Sequence, residues 1–156
     1  MPRLEWVLLA YRLPREPSTP RIAVWRKLRR LGVAQVLDGL VALPADARTQ
    51  EQLEWVADEI VDAGGEATLW VGRLSSASQE RELASKMAAT LADGYRRVEA
   101  DAAEAAADAP GVRRRTLGRL RRELRRLAQQ DHFPPPERER ARRAVEALAA
   151  EVEPAP

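Results

Sequence analysis

Apolar positions recur along this chain with two different periods, and the switch between them divides it into two parts. Leu4 to Leu13 (LEWVLLAYRL) is an apolar and aromatic run with a single acid, closed by Pro14 and Pro17, and predicts a strand. Alternation puts Trp6, Leu8 and Ala10 on one face and Val7, Leu9, Tyr11 and Leu13 on the other. Both faces are apolar, so both have to be covered. Thr19 as N-cap and Pro20 at the first helical position open a helix that stops at Gly32, with Val24, Trp25, Leu28 and Leu31 as its buried stripe. Asp38-Gly39 between the short apolar runs of 33–43 predicts a hairpin. Thr49 and Gln52 fit a capping box for a helix buried through Leu53, Val56, Ala57 and Ile60, which Gly64-Gly65 ends. Glu66 to Val71 closes the series as a strand.

The order β-α-β-β-α-β within about 72 residues predicts an α+β, ferredoxin-like unit over 1–74. From Ser75 the period lengthens. Leu83, Met87, Leu91, Tyr95, Val98 and Ala102 share one helical face, and the run ends at Pro110-Gly111. Leu117, Leu120, Leu124 and Leu127 mark a second helix; Ala141, Val145, Leu148 and Val152 mark a third beyond Asp131-His132-Phe133 and three prolines. A helical hairpin plus one extra helix, packed on the first unit over 75–152, is the economical reading, with a disordered tail over 153–156.

The chain has 156 residues, enough for one domain with a real core. With no cysteine it has no disulfide, thiolate metal site or thiol nucleophile. No stretch approaches the roughly 20 apolar residues of a membrane helix, and a cytoplasmic protein is expected. The net charge of +2 hides an uneven distribution. Residues 1–48 carry nine Arg/Lys against four Asp/Glu (+5), 49–112 five against thirteen (−8), and 113–156 twelve against seven (+5). That pattern describes surfaces and partners and leaves the fold open.

The candidate chemistry is thin apart from arginine. His132, the only histidine, has no serine or second base near it in sequence, and Phe133 is expected to plug the helical segment into the core while Asp131 ends a helix or turns the chain before Pro134. Glu51, Glu54, Asp58, Glu59 and Asp62 lack the spacing of a calcium loop and read as the solvated face of a helix. No metal and no cofactor is expected. VRRRTLGRLRRELRRL, by contrast, holds eight arginines between 113 and 126 opposed by Glu123 alone. Arg115, Arg119, Arg122 and Arg126 fall within about 60° of one another on a helix, opposite the leucines, and form a ridge roughly 16 Å long. The acids Glu99, Asp101, Glu104 and Asp108 of an antiparallel neighbour would offset part of that charge. The basic face of the first helix, Arg26, Lys27, Arg29 and Arg30, is a second candidate for phosphate contact.

The strand WVLLAYRLP (Trp6 to Pro14), PSTPRIAVWRKLRRLG (Pro17 to Gly32), DGLVALP (Asp38 to Pro44), GGEATLW (Gly64 to Trp70) and Asp131-His132-Phe133 resemble the N-terminal domain of the ChrB family of bacterial chromate-resistance regulators. Family members tend to have an amide at the position of Asp38 and an aromatic at Val41. The resemblance implies a stand-alone version of that domain: a DNA-associated, non-catalytic regulator, a homodimer, with chromate as an oxyanion that an arginine cluster would suit. More distantly, the first 72 residues are similar to the sheet domain of PaaX repressors and to the small nuclease-like subunit of CRISPR adaptation. In the latter family an aspartate follows the tyrosine of the first strand as a candidate metal ligand, and here Arg12 stands there. A cation repels Mg²⁺ where an oxygen ligand is needed. Three functions stay open on the sequence: DNA-associated regulator, protein-docking module without DNA binding, and residual metal nuclease.

Overall fold

A computed structural model describes residues 3–153, which form two compact units, one reaching Met87 and the other starting at Ala88. The fold is α+β. The first unit contains a four-stranded antiparallel sheet: β1 (Trp6–Arg12), β2 (Ala34–Leu37), β3 (Leu40–Pro44) and β4 (Glu66–Gly72), in the order β2-β3-β1-β4. Its helices are α1 (Thr19–Leu31) and α2 (Ala47–Asp62).

Val7 and Leu9 of the central strand β1 are fully buried against Val24 and Leu28 of α1 and Leu53, Val56 and Ile60 of α2. This is the face the alternation assigned to Val7, Leu9 and Tyr11. The opposite face is covered only in part. Trp6 is fully buried, and its indole Nε1 and the Leu4 N–H both donate to the Glu80 carboxylate. Trp70, which pairs with Leu8 across the β1–β4 ladder, is 61% exposed.

Local signals place most boundaries, with two corrections. Gly32 ends α1 in the left-handed region at φ 74°, as the sequence implies. The N-cap of α1, however, is Ser18 and not Thr19; Thr19 is already helical, and Ser18 makes no side-chain cap bond. The capping box of α2 joins Asp46 to Thr49 instead of Thr49 to Gln52. The Thr49 N–H donates to Asp46 Oδ1 at 2.8 Å, and the Asp46 N–H donates to Thr49 Oγ1 at 2.9 Å. Thr49 thus occupies N3, where its hydroxyl returns the bond as the Glu of the usual box does. Trp25, assigned to the buried stripe of α1, is 50% exposed: at 100° per residue it falls at the edge of the stripe formed by Val24, Leu28 and Leu31.

Three helices follow: α3 (Ala77–Ala105), α4 (Pro110–Gln130) and α5 (Glu137–Val152). α3 belongs to the first unit as far as Met87 and to the second from Ala88. The core of the second unit is Leu91, Tyr95, Val98 and Ala102 of α3, Leu117, Leu120 and Leu127 of α4, and Ala141, Val145 and Leu148 of α5. These are the stripes read from the sequence. A Cβ at Gly94 would lie 2.8 Å from Leu127 Cδ2, so the glycine admits α4 to close approach. That contact and the Asp101–Arg119 ion pair set α3 and α4 antiparallel. Phe133 is only part-buried and not a core plug. Residues 154–156 of the expected tail lie outside the described residues.

Candidate functional site

Tertiary pairing decides which arginines remain available. On α1, Lys27 donates to Glu59 of α2 at 2.5 Å, so the basic and acidic helices cancel charge at that point. The Arg29 guanidinium lies 4.8 Å from the Trp25 ring centroid, a cation–π contact. Arg26 and Arg30 are exposed and form no ion pair among the described residues.

On α4 all four ridge residues are exposed, and two of them are engaged. Arg119 pairs with Asp101 at 3.1 Å, and Arg126 donates through Nε to Glu123 at 2.9 Å. That bond holds the Glu123 carboxyl below its ordinary range. Arg113 pairs with Glu151, and Arg121 with Glu153. The cations of α4 without an ion pair among the described residues are therefore Arg114, Arg115, Arg122 and Arg125. At 100° per residue they share an arc of about 100° facing away from the leucine stripe. Arg114 and Arg125 lie outside the ridge read from the sequence. Of the neighbouring acids expected to offset the ridge, Asp101 does so, whereas Glu99 pairs with Arg140 of α5. The α1 cations belong to the first unit and the α4 cations to the second.

The first unit also carries a groove of about 900 Å³ lined by Tyr11, Arg12, Arg21, Ile22, Trp25 and Asp38, among others. At its floor the Tyr11 N–H donates to the Gly39 carbonyl at 2.8 Å. Gly39 has φ 77°, and a Cβ there would meet the Tyr11 carbonyl oxygen at 2.6 Å, so the turn needs glycine. Burial pushes the Tyr11 phenol above its ordinary pKa; Arg21 pulls it down and Asp38 pushes it up, so both charges are felt at the hydroxyl. Arg12 is held by Glu66 at 2.9 Å. The sequence reading missed this groove because it counted Trp25 as core.

Asp131 caps the C-terminus of α4 and accepts from the Tyr95 hydroxyl at 2.7 Å, a structural role that fits its position in Asp131-His132-Phe133. Among the described residues, no group of three or more acidic or histidine side chains is placed to hold a metal ion. No helix among them is long and apolar enough to cross a membrane.

The family described as "Protein ChrB, N-terminal" matches residues 21–109. "Protein ChrB" of Cupriavidus metallidurans is 28% identical over 81 residues, which cover 52% of this chain and 24% of that protein. The similarity thus spans about a quarter of the curated relative. No solved structure matches the chain.

Proposed function

As the chain belongs to the ChrB N-terminal family, we propose that it is a DNA-associated, non-catalytic regulatory protein of the chromate-resistance type. The observation that carries this reading is the face formed by Arg114, Arg115, Arg122 and Arg125. These arginines form no ion pair among the described residues, in a helical unit whose other cations are largely paired. A helix surface with several unpaired guanidinium groups suits phosphate oxygens, which arginine engages as a fork. Binding of this kind displaces condensed counterions and is steeply salt-dependent. Arg26 and Arg30 of α1 add a second basic surface. The antiparallel order β2-β3-β1-β4 with the β-α-β-β-α-β sequence supports a ferredoxin-like assignment for the first unit. A second copy of the chain is the partner we assign to the sheet face that exposes Trp70.

Fluorescence anisotropy with duplex DNA from the protein's own promoter region, across a salt series, tests the reading. Binding whose log K falls linearly with log salt supports it. A chain that binds neither that duplex nor random duplex at low salt is a docking module for a protein partner. Cleavage of the duplex in Mg²⁺ would make it a nuclease.

A further inference from the structure

The groove beside β1 has no part in the reading above, and its size sets the class of occupant. Ligand clefts run from about 300 to 1,000 Å³. At about 900 Å³ this one lies at the upper end of that range, and a five-atom oxyanion would leave most of it to water.

Its walls carry three separable chemistries. Trp25 and Ile22, 50% and 48% exposed, offer an apolar platform. Arg29 stacks on the Trp25 ring at 4.8 Å from its centroid, and the half-exposed indole is a platform of the kind that takes planar groups. Arg21 forms no ion pair among the described residues, whereas Arg12 is held by Glu66. Arg21 lies in the first turn of α1, which has neither a side-chain cap nor an acid, so the positive end of the helix dipole adds to its charge. Asp38, also without an ion pair among the described residues, would repel an anion and can accept hydrogen bonds from a donor-bearing ring edge.

We infer that this groove binds a purine mononucleotide, with its ring against Trp25 and Ile22, its phosphate at Arg21 and a donor-bearing ring edge at Asp38. Aromatic platforms stack any base, and arginine pairs with phosphate bidentately. Asp38 favours guanine, whose N1–H and 2-amino group both donate.

Isothermal titration of the full chain with GMP, AMP, guanosine, ribose 5-phosphate and chromate tests this. GMP binds, and guanosine and ribose 5-phosphate each bind roughly tenfold or more weakly. Arg21→Gln weakens GMP about tenfold and leaves guanosine unchanged. Trp25→Ala does the reverse, weakening GMP while sparing ribose 5-phosphate, and Trp25→Phe restores binding. Asp38→Asn removes the preference for GMP over AMP. Absence of GMP binding at millimolar concentration, equal affinity for ribose 5-phosphate, or heat from chromate alone overturns the inference. Arg21→Gln should leave duplex binding intact; if it abolishes DNA and GMP binding together, the groove is part of the DNA surface and the mononucleotide site falls. Failure of GMP to bind leaves the salt-dependent DNA test untouched.

Discussion

The Tyr95 hydroxyl donates a 2.7 Å hydrogen bond to Oδ2 of Asp131, a carboxylate whose side chain is wholly buried and whose Oδ1 has no hydrogen-bond partner among the described residues. The Arg138 guanidinium stands 3.5 Å from the same Oδ2. Taking away the phenol strips a buried charge of one of its few partners. Tyr95→Phe is expected to cost about 1–3 kcal/mol in urea unfolding. Burial first, then the bond to Asp131, raises the phenol well above its ordinary pKa. An unfolded tyrosine ionises near pH 10 while Tyr95 stays protonated, so its contribution is intact below about pH 10 and is lost as pH rises further. The Phe variant should show a shallower alkaline decline, with Tyr11, which burial also raises, contributing to what is left. An identical decline in both proteins would contradict this assignment.

Asp46→Ala removes the cap of α2 and should cost about 1 kcal/mol at neutral pH. The Thr49 N–H holds the Asp46 carboxyl below its ordinary range. The cap is therefore at full strength above about pH 3.9 and fades as pH falls below that. Thermal melts of wild type and variant should converge on acidification. A gap of constant size from pH 7 to pH 2.5 would show that the cap is not the source.

If the unpaired face of α4 contacts phosphates, the pair Arg115→Gln and Arg122→Gln should flatten the log K against log salt slope by about two. Arg119→Gln and Arg126→Gln, whose charges Asp101 and Glu123 already hold, should change it less. Glu54→Gln on α2 is the neutral control. Equal flattening by both arginine pairs would mean that the ion pairs do not select the contact surface.

Labelled duplex incubated with the protein in Mg²⁺ or Mn²⁺ should remain uncut, because the end of β1 carries Arg12 paired to Glu66 where an anionic metal ligand would be needed. Specific cleavage that disappears with one carboxylate substitution refutes the non-catalytic reading.

Sedimentation should report a dimer that Trp70→Arg converts to monomer, since Trp70 is 61% exposed on a sheet face and Leu37 is 66% exposed. A wild-type monomer at all concentrations rules out the second copy as partner.

Where period alone decided an element, the sequence was a good guide. Val7 and Leu9, Leu53 and Ile60, and Leu117, Leu120 and Leu127 are buried as their spacing implies. Trp25 was misread because hydrophobicity does not say whether a residue at the margin of a stripe faces the core or a groove. The start of α2 was misplaced because Asp46 and Thr49 can each cap, and the choice fell to the chain path out of β3, where Thr49 Oγ1 donates to the Pro44 carbonyl at 2.6 Å. The arginine face was half legible. Its orientation follows from the leucines, but which arginines keep no ion pair depends on the tertiary placement of acids: Asp101 takes Arg119, and Glu151 and Glu153, on or just beyond α5, take Arg113 and Arg121, and no local period reveals those choices.

The Tyr11–Gly39 hydrogen bond extends the β1–β3 ladder one step beyond the last registered pair, Ala10 and Leu40. Its amide proton can meet solvent only when the Asp38-Gly39 turn lifts from β1, so its deuterium uptake times a single local opening of the hairpin. That opening also moves Asp38 and the floor of the groove. A ligand that engages Asp38 is expected to hold the turn down, and slowed deuterium uptake at the Tyr11 amide would record its arrival.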